Sequence, residues 1–212
     1  MPSTAVIIQQ RLRNTRLPCK GRLILPTGRS VTEEVLRRCK QIVGADITIL
    51  AVPEGADDDI WAVEAQRTGT AFFRGPELNV LKRYRLAADH FDVSVVLRVT
   101  ADCPLLSAPQ CDAVLSKVLS GQHDFAANSG PGSFSLGWSC EAFTVDLLRQ
   151  ADNTSTDPLA REHVGPGVRS LAKSPAYITI PEVGSDLRPS LDTKDDYLAV
   201  IWAIQHQMRV AA

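Results

Sequence analysis

Apolar residues recur along this chain with two periods, and the periods alternate. The run AVIIQ, residues 5–9, is short and β-branched, which predicts a buried strand. A loop rich in Arg and Lys follows it. Ser30 and Glu33 then stand at capping-box spacing, and Val35, Cys39, Ile42 and Val43 recur at helical intervals. That pattern predicts a helix ended by Gly44, before a second strand in DITILAV, residues 46–52. DDDIWAVEAQRTG, 57–69, reads as a helix with an acidic first turn and a glycine stop, and TAFFRG, 70–75, as a short strand. NVLKRYRLAADHF, 79–91, puts Val80, Leu81, Tyr84 and Ala88 on one helical face. VSVVLRV, 93–99, is the most continuous apolar run and is predicted to lie at the sheet centre.

Beyond this point the texture changes. ANSGPGSFSLGWS, 127–139, is rich in Gly and Ser with weak periodicity, and is predicted to be loop and edge strand. TVDLLRQA and PLAREHVGPGVRSLAKS read as helical pieces, the second interrupted by Gly165, Pro166 and Gly167. AYITI, 176–180, reads as a strand. In the last unit a strand ends at Asp192, and a helix follows with Tyr197, Val200, Ile201 and Ile204 as its apolar stripe. Alternation of this kind predicts an α/β fold: a doubly wound, mainly parallel sheet with helices on both faces. Ligands of such sheets sit outside the carboxyl ends of the strands. Three of those ends carry the chemistry: residues 9–20, residues 100–104, and Asp192.

Composition narrows the function. The chain has 212 residues and a formal net charge of −1, so no overall field draws it to nucleic acid or to a membrane surface. No apolar stretch is long enough for a membrane span or a signal peptide. The 5 cysteines contain no CxxC pair and leave an odd one, which fits the cytoplasm better than a disulfide framework or a zinc site. An anion would have to be captured locally. Arg11, Arg13, Arg16 and Lys20 form the densest cluster of cations, placed where a first strand ends. Such a loop can hold a triphosphate and neutralise the charge that develops when it is attacked, although isolated basic loops are more often plain surface. Asp102 follows a buried strand, where a carboxylate is costly without a partner. Magnesium is a natural partner, since it takes oxygen ligands from carboxylates and phosphates. Asp192 is the second metal candidate. Each Asp has an ordinary alternative: Asp102 as an N-cap or turn residue before Pro104, and Asp192 or Thr193 as a plain helix cap. His163 reads first as structural, and Cys19 and Cys103 as small buried residues flanking the site.

IIQQRLRNTRLPCK resembles the IIQARxGSxRLPGK signature of the cytidylyltransferases that activate sugar acids, the synthetases of CMP-sialic acid and CMP-3-deoxy-manno-octulosonate. The similarity continues in order through FRGPELNVLKRY, VLRVTADCPLL, REHVGP and SLDTKDDYLAV, and is greatest to the spore-coat polysaccharide branch. The resemblance implies a Rossmann-like nucleotidyltransferase domain over residues 1–212. It implies CMP transfer from CTP to a small acidic acceptor, with loss of pyrophosphate. By resemblance Asp102 and Asp192 correspond to magnesium ligands, and Arg11, Arg16 and Lys20 to triphosphate-handling cations, so Lys20, Arg16 and Asp102 carry the catalysis. Gln9 and Gln10 begin the loop beside the nucleotide. A homodimer is implied too, with residues 128–175 as acceptor or dimer region. Two glycines of the signature are absent: Arg13 and Asn14 replace its Gly-Ser, and Cys19 its later Gly. Either side chains of Arg13 and Asn14 replace backbone donors, or the nucleotide has changed, or activity is lost. The acidic segment of the branch reads LGWSCEAF here and keeps only Glu141. Two rivals stand beside this reading. A nucleotide-sugar glycosyltransferase is disfavoured by the single Asp in ADCP. A degenerate relative that binds nucleotide without catalysis is favoured by the missing glycines.

Overall fold

The computed structural model describes residues 3–128, 139–178 and 190–210. Its strands are β1 (Thr4–Gln9), β2 (Ile47–Pro53), β3 (Ala71–Gly75), β4 (Val95–Thr100), β5 (Phe125–Ala127), β6 (Glu141–Thr144) and β7 (Pro175–Tyr177). They form one seven-stranded sheet in the order β3-β2-β1-β4-β6-β5-β7. All neighbours are parallel except β6, which runs antiparallel to both β4 and β5. The doubly wound, mainly parallel sheet is therefore as expected, and the run placed at its centre is β4, the fourth of seven strands.

Eight α-helices accompany these strands among the described residues: α1 (Val31–Cys39), α2 (Ile60–Thr68), α3 (Val80–His90), α4 (Ala108–Leu119), α5 (Val145–Thr154), α6 (Pro158–His163), α7 (Gly165–Leu171) and α8 (Lys194–Val210). Alternate residues of each strand feed opposite faces. Val6, Ile8, Leu50, Leu97 and Val99 pack with Leu36, Trp61 and Leu115 of α1, α2 and α4. Ile7, Ile49, Ala51 and Val96 pack with Leu81, Tyr84, Leu148 and Val168 of α3, α5 and α7. Burying one such large side chain contributes about 1.5–3 kcal/mol, so both faces are covered for the same reason that the strands read as unbroken apolar runs.

Several expectations need correction. Helix α1 ends at Cys39, not at Gly44, and Val43 is exposed. Helix α4, β5 and β6 are not in the sequence reading. Residues 129–138 of the Gly/Ser-rich stretch lie outside the described residues, as do 179–180 of AYITI. The break in the 158–174 segment falls at Val164, and Gly165 and Pro166 begin α7 instead of interrupting a helix. Asp192 sits on a turn before α8, not on a strand. Leu191 places it there: its N–H donates to the Asp102 carbonyl at 2.9 Å, and its side chain is buried with Leu25, Leu105, Val200 and Ile204.

Helix α1 also carries a buried charge. Glu34 is almost fully enclosed and accepts from Arg37 at 2.7 Å and Arg38 at 2.8 Å. Burial by itself would raise its pKa, but the two guanidinium groups outweigh it and hold the carboxyl below the usual glutamate range. Above the unfolded-state pKa, about 4.3, this contribution to stability is fully present, and it is lost as the pH falls through the lower folded-state value. Glu34→Gln is expected to cost about 1.5–3 kcal/mol in denaturant unfolding at pH 7. The difference from the parent should shrink below about pH 4, and a difference independent of pH would show that the charge is not what matters.

Candidate active site

The carboxyl ends of β1 and β4 lie side by side, with Gln9 in register with Thr100. Tyr84 fixes them from below. Its hydroxyl is fully buried and donates to the carbonyls of Ile7 at 3.1 Å and Val99 at 3.3 Å. Burial pushes its pKa up to about 12, so it stays a donor. A cleft opens above, between the basic loop, the end of β4, the start of α3, the end of α6 and the Asp192 turn.

Lys20 is the centre of this cleft. Its Nζ lies 2.6 Å from Asp102 Oδ2, 3.0 Å from Asp192 Oδ1 and 2.7 Å from the Leu191 carbonyl. Arg16 approaches the same Asp192 oxygen at 2.9 Å. The Lys20 side chain is only 11% exposed. Burial alone would lower its pKa, but Asp102 and Asp192 outweigh that and raise it. Burial likewise opposes ionisation of Asp102, and Lys20 more than compensates, so the Asp102 pKa is lowered. Neither Asp is a helix cap. Thr193 accepts from Asp196 N–H, and the Asp196 carboxylate returns a bond from Thr193 N–H, which leaves the Asp192 carboxylate to the cations. The helix after Asp102 is capped at Ser107.

The loop between β1 and Lys20 has no glycine of its own. Buried side chains shape it instead. Leu12 N–H donates to Asp58 Oδ1 at 2.7 Å, and Trp61 Nε1 donates to the same oxygen at 3.0 Å. Gln10 accepts from Arg11 N–H at 2.9 Å and donates to Thr32. Asn14 donates to the carbonyls of Arg11 and Leu12. The obligatory glycine stands just after the loop, at Gly21: a Cβ there would fall on the Gln10 amide, the Thr32 hydroxyl and the Trp61 ring.

Of the residues singled out from sequence, Gln9, Gln10, Arg11, Asn14, Arg16, Lys20, Asp102, His163 and Asp192 all line the cleft. Gln10 and Asn14 spend their side chains within the loop. Arg13 does not line the cleft. It pairs with Asp57 at 2.5 Å and its side chain is 79% exposed. Cys103 is buried, and burial raises its pKa, so its thiol stays neutral. Cys19 is exposed instead of buried, and its backbone is left-handed, with φ at 53°. Sequence reasoning missed Arg83, Arg98 and Glu162, which also line the cleft. Arg98 donates to Glu141 at 3.0 Å and to Gln9 at 3.3 Å, and Glu162 pairs with Arg11 at 3.6 Å. The available signal was a charge on an apolar face: Arg98 inside the central strand, Arg83 beside Tyr84 on the buried side of α3.

A sequence model of a family described as cytidylyltransferase matches residues 5–167. This chain belongs to the cytidylyltransferase family. It is 32% identical over 161 residues to an uncharacterized protein of Methanocaldococcus jannaschii, covering 76% of this chain and 64% of that relative's length. The chain thus spans somewhat less than two thirds of that relative. It is 25% identical over 209 residues to the spore coat polysaccharide biosynthesis protein SpsF of Bacillus subtilis, covering 92% of this chain and 83% of SpsF. A solved cytidylyltransferase from Leptospira borgpetersenii superposes with a TM-score of 0.89 at 26% identity, covering 97% of this chain and 88% of that one. The expected family and fold both stand.

The glycine positions of this chain give two tests. Cys19→Gly should raise stability, by up to about 1 kcal/mol, because only glycine adopts the left-handed region without a Cβ penalty. A drop in melting temperature would show that the Cys19 side chain has a packing role. Arg13→Gly should leave nucleotide affinity within about twofold, because the paired, exposed guanidinium contributes little. A tenfold loss by calorimetric titration would return Arg13 to the phosphate site.

Proposed function

We propose that the protein transfers CMP from CTP to a small acidic acceptor, a sugar acid or a related acid, and releases pyrophosphate. The observation that carries this reading is the contact of Lys20 and Arg16 with Asp102 and Asp192, at the strand ends of a cytidylyltransferase-family chain. An acceptor oxygen attacks the α-phosphorus, the bond to the bridging oxygen breaks, and pyrophosphate leaves with that electron pair. Reactions of this kind need positioning and charge neutralisation more than a protein nucleophile. Lys20 and Arg16 exchange their carboxylate contacts for oxygens of the β- and γ-phosphates and stabilise the departing charge. Arg11 adds to the same field. Gln9, at the end of β1, meets the nucleotide where the loop begins.

The residues fit magnesium. Two carboxylates and a main-chain carbonyl already converge on one cation, and hard divalent ions take oxygen ligands of these types. Asp102 and Asp192 would hold it, with substrate oxygens completing its shell, since no group of three or more His, Cys, Asp and Glu gathers among the described residues. Bound there, magnesium would neutralise phosphate charge. Glu162 and His163 on α6, which line the cleft, support residues 128–175 as the acceptor side, and we read the same region as a dimer contact. We read residues 1–212 as one nucleotidyltransferase domain, working as a homodimer in the cytoplasm. No described helix is long and apolar enough to cross a membrane, and all five cysteines are free. Family membership favours nucleotidyl transfer over the glycosyltransferase alternative. The intact Lys20–Asp102–Asp192 cluster favours it over a degenerate binder.

With magnesium present, CTP should raise the melting temperature more than ATP, GTP or UTP does. Binding at 100 times Kd stabilises by about 2.7 kcal/mol. Equal shifts for all four nucleotides would count against a cytidine pocket. Asp102→Asn and Asp192→Asn should each lower turnover at least about a hundredfold while the protein stays folded, as metal-held charge stabilisation is worth several kcal/mol. Mass spectrometry of CMP conjugates formed with a panel of sugar acids measures that turnover. Normal turnover in either variant would remove that carboxylate from the mechanism.

A further inference from the structure

Among the described residues, every cation lining the cleft but one has a carboxylate. Arg11 faces Glu162, Arg16 faces Asp192, Lys20 faces both Asp residues, and Arg98 faces Glu141. Arg83 makes no ion pair, although it is only 2% exposed. Its Nη1 donates to the Pro76 carbonyl at 3.3 Å, and its Nε has no partner. Its position is built all the same. The stem lies where Gly75 has no side chain, and a Cβ at Gly75 would stand 3.0 Å from Arg83 Cγ. So Gly75 at the end of β3 makes room for the stem, and the Pro76 carbonyl, not an anion, holds the guanidinium. Burial lowers its pKa from the ordinary arginine value, while the Asp58 and Glu77 carboxylates, neither of them within ion-pair distance, oppose that and Arg11 adds to it. The group nonetheless stays charged at neutral pH. A buried cation without a counter-ion is strongly unfavourable, and an open cleft is where a counter-ion can arrive.

The geometry points to Arg83 as the anchor of an oxyanion subsite in the cleft, apart from the basic loop, that takes a phosphate or carboxylate group of a bound substrate. This deepens the nucleotidyl-transfer reading and rests on it. Two sources supply such an anion: a phosphate of the nucleotide, or the acid group of the acceptor.

Arg83→Gln and Arg83→Lys test the assignment, because both shorten the side chain and only one keeps the charge. Each variant and the parent are titrated by thermal shift, with magnesium, against cytidine, CTP and pyrophosphate, and against a panel of sugar acids in saturating CTP. Arg83→Gln should melt no lower than the parent without ligand, since a buried charge is gone. Its midpoint for the anionic ligand should rise at least tenfold, and Arg83→Lys should recover part of that loss. Loss with CTP and pyrophosphate but not with cytidine assigns a nucleotide phosphate. Loss confined to the sugar acids assigns the acceptor. Midpoints that are equal in Arg83→Gln and Arg83→Lys for every ligand overturn the proposal, whatever the melting temperatures do. If the parent itself ignores CTP, the nucleotide reading falls, while an Arg83-dependent response to pyrophosphate would still uphold the subsite. No response to any anion overturns both.

Discussion

The Lys20 ammonium joins three parts of the chain that are far apart in sequence. It closes the basic loop onto Asp102 at the end of β4, and onto Leu191 and Asp192 at the entry to α8. None of these groups is comfortable alone. Two carboxylates at one crevice repel each other, and a mostly buried ammonium is costly without anions. Together they are stable, and the shape of the cleft follows from that. The Leu191 side chain anchors the turn in an apolar cluster, the Leu191 N–H bonds back to the Asp102 carbonyl, and Thr193 takes over capping. Helix α8 thus brings a carboxylate to the site without spending it on its own N-terminus.

The same pairing sets how the cleft can respond to a substrate. A polyanion entering it does not meet free cations, because most are already matched by carboxylates. It competes for them. Only the difference between the two sets of contacts is available as binding free energy. In the proposed reaction, carboxylates freed by such an exchange would be oxygen donors facing the phosphates, so capture of the anion and readiness for a cation would belong to one rearrangement. Arg83 stands outside the exchange, since it has no carboxylate to give up.

Much of the fold was legible because a parallel sheet covered on both faces writes its strands as unbroken β-branched runs. The basic loop, Asp102 and Asp192 were legible because charge at the end of such a run is conspicuous. Short elements were not. The three residues of β5 and four of β6 carry too little pattern to show a period. Helix α4 has helical spacing in Ala108, Cys111, Leu115 and Val118, but its Ser107 cap makes no side-chain bond and the preceding loop draws attention to Asp102. Arg83, Arg98 and Glu34 were passed over because a charge within an apolar pattern reads as an interruption, when it reports a buried partner or a site. The glycine-free loop was legible only as an absence: Gly21, Asp58 and Gln10 constrain it by other means, and Cys19 keeps the left-handed conformation that glycine would favour.

The one reversal in the sheet shapes one wall of the cleft. Because β6 runs antiparallel to β4, Glu141 lies directly opposite Arg98, and their side chains pair at 3.0 Å beneath Gln9. The Glu141 carboxylate also fills the space where a side chain at Gly165 would sit. Val164, just before it, is fully buried with φ at 62°, a conformation that costs a β-branched residue roughly 1–3 kcal/mol and persists only where its surroundings enforce it. What it achieves is visible at the adjoining residues: α6 ends at the cleft with Glu162 and His163, and α7 turns back into the core with Val168. The half of the cleft built on β1 and β4 is thereby fixed by strand pairing. The other half depends on one reversed strand and one strained turn, so a change in β6, α6 or their connection can reshape that wall without disturbing the Lys20 cluster.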